Sequence, residues 1–436
     1  MLLRASEMNR GVGWVVEKQE RARASDPGAV ILGGAHRMWR FNGWFCARWL
    51  FPVVLLGVSG VRAAAQIQVP RTSTLPGIEG APYPYATPNE SGLSQERMDA
   101  LTEAVEEWVR AGEIVGAEVL LLKDRRVVLH EALGWSDLDK GIPLQRNSVY
   151  RIRSMTKPFT GTAAFMLMQE GELALEDSVA KFLPAWRNER SGGITIRQLL
   201  SHSTGFSLDP SSNPYEDYST LSDWVDALGE EGPQHPAGSR YEYSSVGGAT
   251  TGVIVKEITG MPLERFIETR ILEPLGLNDT HTSLPPGADW AARTNPTYSF
   301  LGEDEGWAQF WDPSMGEPAP WFPGSSGLYS TVFDYARWLE LWMNLGVLGT
   351  TRLVSRANVL TALRPAAARH YGLHWQLFSP LPAGGLLPAF GHAGSDGTLA
   401  VAFPELNGMA LFFSQSRGNT VTEAFLDLAR SALGGE

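Results

Sequence analysis

Two tetrapeptides place a serine hydroxyl three residues before a lysine amine: Ser154-Met-Thr-Lys157 and Ser178-Val-Ala-Lys181. On a helix, that spacing sets both groups on one face, a turn apart. An amine so placed can take the proton of a hydroxyl that attacks a carbonyl. Chance supplies on the order of one or two such tetrapeptides in a chain of this length, so the flanks must decide. Ser154 follows the β-like run Val149-Tyr-Arg-Ile-Arg and precedes a helix-period stretch from Phe159 to Met168. It therefore falls at a helix N-terminus, where free N–H groups favour anionic charge. Pro158 fits the first turn, and taken alone Ser154 is equally a good N-cap residue. Ser178 reads as an exposed helix position.

Two further segments carry reactive groups. Tyr243-Ser-Ser245 follows the turn Pro236-Ala-Gly and precedes Gly247-Gly248, so it presents a phenol and a hydroxyl at a loop. Gly391-His392-Ala-Gly394-Ser395-Asp-Gly397 stands just ahead of a predicted strand, where small residues let a substrate approach the backbone. Taken singly, Tyr243 is a packed aromatic and His392 a turn residue. His370 and His374 are four apart, the spacing of two metal ligands on a helix, but Tyr371–Trp375 reads as a strand entry without an acidic partner. No metal site is expected. Phosphate-loop, Gly-x-Ser-x-Gly and His-Glu-x-x-His signatures are absent.

These segments need elements to hold them. Leu93, Met98, Leu101, Val105 and Val109 recur at helical spacing behind Ser94, which predicts a helix. Ala117–Leu122 and Arg126–Leu133 flank Lys123-Asp124-Arg125 as a hairpin, and Thr398–Phe403 with Met409–Gln415 forms a second around Pro404–Gly408. Thr420–Leu433 reads as a closing amphipathic helix. Hairpins and helices at both ends imply one sheet assembled from the two ends of the chain, with a mainly helical middle over roughly 155–320.

The 436 residues include 36 basic and 48 acidic side chains, a net charge of −12. That balance argues against nucleic-acid binding, which needs a basic footprint. Hydrophobic residues make up 43%, enough for a sizeable core. Trp49–Val58 is an apolar run preceded by Arg37, Arg40 and Arg48 and followed by Ala63-Ala-Ala65. It has the pattern of a signal peptide over 38–65 and is short for a membrane span. Residues 1–37 form a doubtful extension, with translation beginning at Met38. Cleavage before Gln66 leaves 27 basic and 44 acidic residues and no cysteine, since Cys46 is the only one. A periplasmic or extracellular location follows, with no membrane attachment after cleavage. Residues 66–93, rich in proline, read as an extended linker or surface arm, and 94–436 as the main domain.

Ser154-x-x-Lys157, Tyr243-Ser-Ser245 and His392-Ala-Gly394, in this order and spacing, resemble the serine beta-lactamase and penicillin-binding-protein superfamily. The class C beta-lactamase and family VIII carboxylesterase branch is the most similar. Ile194-Thr-Ile-Arg-Gln-Leu-Leu-Ser-His202-Ser-Thr-Gly205, Glu273-Pro-Leu-Gly-Leu-Asn-Asp-Thr280 and Gly327-Leu-Tyr-Ser-Thr-Val-Phe-Asp334 are similar to its framework segments. The resemblance implies an α+β fold: an antiparallel sheet flanked by helices, with an inserted all-helical region. It implies an acyl-enzyme hydrolase without cofactor or metal, acting on a small ester, amide or peptide. Ser154 would be the nucleophile, Lys157 its base and Tyr243 a proton relay. The N–H groups of Ser154 and Ser395 would form the oxyanion hole, and Ser245, His392 and Gly394 would line the cleft, with Ser245 and His392 holding the proton network. His202 would be a framework residue despite its neighbours Ser201 and Ser203. The sequence departs from the lactamase pattern at Ser245, where asparagine is usual, and at His392, where lysine is. A histidine is mostly neutral at pH 7, which favours uncharged esters or amides over carboxylate-bearing beta-lactams. An esterase is the leading expectation. A D-amino-acid-specific peptidase, a beta-lactamase and an inactive binding or sensor module are the alternatives.

Overall fold

The computed structural model describes residues 68–208, 214–285, 287–317 and 319–435. The expected signal peptide and Cys46 lie outside the described residues.

The elements used below are, in chain order, β1 (Arg71–Thr72), α1 (Gln95–Arg110), β2 (Gly116–Lys123), β3 (Arg126–Asp137), α2 (Lys157–Glu170), α3 (Val246–Thr259), α4 (Val332–Met343), β4 (Gln376–Leu377), β5 (Phe390–Ala393), β6 (Thr398–Phe403), β7 (Gly408–Ser414) and α5 (Thr422–Ala432). The strands make an antiparallel sheet in the order β1-β3-β2-β7-β6-β5-β4, with Ile142–Pro143 added on β3. β2 pairs with β7 from Ala117↔Ser414 to Lys123↔Gly408, so the two ends of the chain meet in the middle of the sheet.

Alternation along these strands builds two cores, because successive side chains point to opposite faces. Val119, Leu121, Val401, Ala410 and Phe412 face α1 and α5, where Met98, Leu101, Val105, Phe425 and Ala429 are buried. Leu120, Leu122, Ala400, Leu411 and Phe413 face the other way, into the larger core containing α2 and α4. Each fully buried large side chain contributes about 1.5–3 kcal/mol. The α1 start matches the sequence expectation: the Ser94 side chain accepts from the Arg97 amide. The β2–β3 turn consists of Asp124 and Arg125, with φ of 50° and 59°, a backbone that suits the right-handed twist of the flanking strands.

Residues 68–93, expected as an extended linker or surface arm, are fastened to the sheet: β1 pairs with β3, Tyr83 is buried, and the Tyr85 hydroxyl is 2.8 Å from His130 Nδ1. Two expectations need correction. The middle of the chain is not all helical, because Thr297–Phe300 and Trp307–Trp311 form a hairpin to which Ser416–Arg417 adds in parallel. Tyr298 and Phe300 in one strand and Trp307, Phe310 and Trp311 in the other favour a half-buried pleated surface over a helix. Ser178 is half-buried rather than exposed, and it caps the single turn Val179–Lys181. Its hydroxyl accepts from the Ala180 amide and donates to the Gly192 carbonyl at 2.6 Å.

Candidate active site

The nucleophile segment is held from both sides. Tyr150–Arg151 pairs with Tyr329–Ser330, and the Ile152 amide donates to the Leu328 carbonyl at 3.0 Å. The chain then turns through Arg153, whose φ of +48° is in the left-handed region, into a short turn that leads directly to α2. Positive φ at a non-glycine residue stores backbone strain, which concentrates at functional sites. Ser154 is half-buried at this helix entrance, and Lys157 is 1% exposed. Lys157 Nζ lies 3.2 Å from Ser154 Oγ and 3.0 Å from the Ser325 carbonyl, which it donates to. Gly248 of α3 makes the latter contact possible, since a Cβ there would stand 2.9 Å from the Ser325 backbone.

Tyr243 closes the group. Lys157 Nζ sits 4.7 Å from the centre of its ring. The phenol oxygen is buried beside the Ser154 side chain without a hydrogen bond of good geometry. Burial pushes the phenol pKa up, with Ser154 partly opposing the shift. The structure thus brings Ser154, Lys157 and Tyr243 together from three separate stretches of sequence. Ser245 heads α3, its amide donating to the Leu208 carbonyl, and its side chain borders a neighbouring cavity.

Behind Tyr243 runs a chain of hydrogen bonds whose directions can be assigned. The Ser244 amide donates to His202 Nδ1 at 3.2 Å, so that nitrogen carries no proton and His202 Nε2 does. Nε2–H then donates to the Tyr371 hydroxyl at 3.0 Å. Tyr371 in turn donates to His392 Nε2 at 3.0 Å, leaving His392 Nδ1–H for the Ala393 carbonyl at 2.8 Å. Both histidines are neutral in this assignment. Burial, followed by the charge of Lys157, lowers His392 to about 3, while burial and the charge of nearby His374 hold His202 well below its ordinary value. The chain links the Tyr243 loop to strand β5.

His392 is therefore not a cleft residue, contrary to expectation. It is 0% exposed and both ring nitrogens are used within the protein. Side chains on a strand alternate in direction, and His392 faces the interior. Gly394 and Ser395 follow β5 directly and lie against the nucleophile segment. A Cβ on Gly394 would stand 2.4 Å from the Ile152 carbonyl and 2.3 Å from Thr398 Oγ1. Only glycine lets the end of β5 press against the nucleophile segment. Ser395 is exposed, and its hydroxyl accepts from Arg153 Nε at 3.4 Å. Gly394→Ala is expected to lower kcat/KM by at least about 10²-fold, the cost of an ångström-scale misplacement at a reacting centre. Steady-state kinetics, together with the thermal midpoint, checks this.

His370 and His374 do not share a helix face. His374 is buried in a left-handed turn, φ +59°, with Nδ1 donating to the Lys157 carbonyl at 3.0 Å, while His370 packs its ring edge on Tyr241. Among the described residues no group of His, Cys, Asp or Glu is arranged to hold a metal.

A cavity of about 590 Å³ opens beside the nucleophile segment, bordered by Arg151, Arg153, Ser245, Trp321, Ser325 and Tyr329 among others. Sequence reasoning missed the two arginines. Arg153 adjoins the candidate serine and thus had a positional signal, but Arg151, Tyr371 and Ser325 had none.

The sequence profile of the beta-lactamase family matches residues 98–433, and the chain belongs to that family of serine hydrolases. Among sequence relatives, Protein Rv1367c of Mycobacterium tuberculosis is 30% identical over 285 residues, 60% of this chain and 70% of that protein. Protein flp of Staphylococcus aureus (strain NCTC 8325 / PS 47) is 34% identical over 261 residues, 58% of this chain, and the match spans 49% of flp. Among solved structures, EstCE1, a hydrolase with promiscuous acyltransferase activity, aligns with a TM-score of 0.64 at 20% identity, covering 78% of this chain and 99% of the other. The D-amino acid amidase of Ochrobactrum anthropi SV3 aligns with the same TM-score, identity and coverages. These likenesses establish the beta-lactamase/transpeptidase-like fold.

Proposed function

We propose that this chain cleaves a carboxylic ester or amide through an acyl-enzyme on Ser154, with an ester as the preferred substrate. The observation that carries the reading is Lys157 Nζ at 3.2 Å from Ser154 Oγ, beneath the ring of Tyr243. Ser154 Oγ attacks the carbonyl carbon and its proton passes to Lys157 in its amine form, the form competent for catalysis; a Ser-Lys pair is a known variant of serine catalysis. The proton then reaches the leaving alcohol or amine by way of the Tyr243 hydroxyl. Water enters, the same groups take its proton, and Ser154 is released with the free acid. The backbone N–H groups of Ser154 and Ser395 are the donors for the oxyanion, each worth about 3–4 kcal/mol.

His392, neutral and turned inward, offers no charge of its own to a beta-lactam carboxylate, which favours an ester. The names of two structural neighbours, a hydrolase with promiscuous acyltransferase activity and a D-amino acid amidase, agree with ester or amide cleavage. Purified protein is expected to hydrolyse short p-nitrophenyl esters with kcat/KM orders of magnitude above that for a chromogenic cephalosporin. A ratio near one returns the beta-lactamase reading, and higher activity on D-amino-acid amides returns the peptidase one. We also propose export: the secreted protein is expected to begin near Gln66, and N-terminal sequencing that finds residues before 60 in the secreted fraction would refute this.

A further inference from the structure

Arg151 is an unusual residue to find at a cavity wall. Its side chain is 7% exposed, and its guanidinium lies 4.3 Å over the Trp311 ring. Among the described residues its one ion pair is a 3.9 Å contact with Asp396, and it makes no direct hydrogen bond. A guanidinium has five N–H donors and is costly to bury unless they are used. Arg153, two residues on, is 27% exposed and lies 3.6 Å from the same carboxylate. Arg417 takes that carboxylate at 2.6 and 2.9 Å. Three arginines thus share one buried aspartate, which leaves about two positive charges unmatched among the described residues, and Arg151 and Arg153 both border the cavity. Two other carboxylates border it, Glu264 and Glu317. Neither is ion-paired with Arg151 or Arg153 among the described residues, and Glu317 already accepts from the Tyr329 hydroxyl at 3.0 Å and from the Leu284 amide.

We propose that Arg151 and Arg153 form a carboxylate-binding subsite, and that the preferred substrate carries a carboxylate on its acyl half. This rests on the acyl-enzyme reading above and adds the substrate class to it. The acyl half is chosen over the leaving group on physical grounds. A leaving group must escape, whereas the acyl half stays tethered to Ser154 until deacylation and has time to fill a partly apolar cavity. A carboxylate there accepts the unused guanidinium N–H donors in the paired geometry that arginine favours. The inward-turned His392 removes the cation that its own motif would supply, and the arginines supply charge on the cavity side instead.

The test compares p-nitrophenyl hexanoate with the mono-p-nitrophenyl ester of adipic acid, which places a carboxylate at the far end of a similar chain. The wild-type kcat/KM is expected to favour the adipate ester by about tenfold or more, the scale of a charge-assisted hydrogen bond. Arg153→Gln is expected to lower that preference by a similar factor, Arg153→Lys to keep part of it, and Arg153→Glu to reverse it. Arg364→Gln, an exposed arginine away from the cavity, is expected to leave it unchanged. Competitive inhibition of hexanoate hydrolysis by adipate, and not by adipamide, is an independent readout on the wild-type protein if a variant fails to fold. A wild-type preference at or below one, a preference unaltered in folded Arg153→Gln, or equal inhibition by adipate and adipamide would overturn the subsite. Turnover of either ester surviving in Ser154→Ala would instead overturn the underlying acyl-enzyme reading.

Discussion

Ser154→Ala is expected to abolish ester turnover, by about 10⁴-fold or more, and to abolish labelling by a serine-reactive phosphonate. The size follows from what the substitution removes. Without Oγ there is no acyl-enzyme, and Lys157 and Tyr243 have no proton to move; residues acting as one unit lose nearly everything together. Backbone donors and substrate binding remain, so residual hydrolysis above the uncatalysed rate is expected. Ser178→Ala is the matched control, because it belongs to the other Ser-x-x-Lys tetrapeptide. Its hydroxyl caps a single turn and ties it to Gly192. The expected result is a loss of about 1 kcal/mol in stability, with turnover and labelling retained. Mass spectrometry of the labelled peptide decides between them. Label on Ser178 would move the active site, and no label on an otherwise folded protein would favour a binding module.

The second large effect is a loss of stability in mild acid. His202, His374 and His392 are buried and neutral: burial first, then the charge of Lys157 or of one another, lowers His374 and His392 to about 3 and His202 well below its usual range. In the unfolded chain each titrates near 6.5. Depressed folded values mean that the unfolded state binds more protons below that point, so stability is complete above about pH 6.5 and declines as pH falls towards about 3. At pH 5 His374 and His392 each cost about 2 kcal/mol relative to pH 7, and His202 adds to the loss in the same direction. That approaches the whole stability of many domains, about 5–15 kcal/mol. His374→Asn isolates one contribution. Asparagine tolerates the left-handed backbone that His374 adopts and can still donate to the Lys157 carbonyl. The variant is expected to lose about 2 kcal/mol less than wild type between pH 7 and pH 5, whatever its stability at pH 7. Denaturant unfolding at several pH values measures this, and an unchanged pH dependence would show that His374 is already charged in the folded protein.

Much of this molecule was determined by local sequence. Continuous apolar runs at 119–122, 399–403 and 409–413 point to strands buried on both faces, and helical spacing from Met98 to Val109 behind Ser94 points to α1. Three motifs in order named Ser154, Lys157 and Tyr243, because an amine and a hydroxyl three residues apart at a helix entrance already define a chemical relationship. The hairpin at 297–311 was not legible, since short strands rich in aromatics lack a decisive period. Nor was the role of His392. A strand fixes only that neighbouring side chains point opposite ways, and whether His392 faces the cleft or the interior depends on what packs on each side. Tyr371, 21 residues earlier, supplies the hydroxyl that holds it inward. The choice between the two Ser-x-x-Lys sites was likewise tertiary. Both have the spacing, but only Ser154 has Tyr243 from one loop and the Ser325 carbonyl from another brought against its lysine. The unmatched charge at the cavity is the clearest case. Arg151, Arg153, Asp396 and Arg417 are spread over more than 260 residues of sequence. Their shared carboxylate exists only because the sheet joins the two ends of the chain, since electrostatic balance is set by distance in space and not along the backbone.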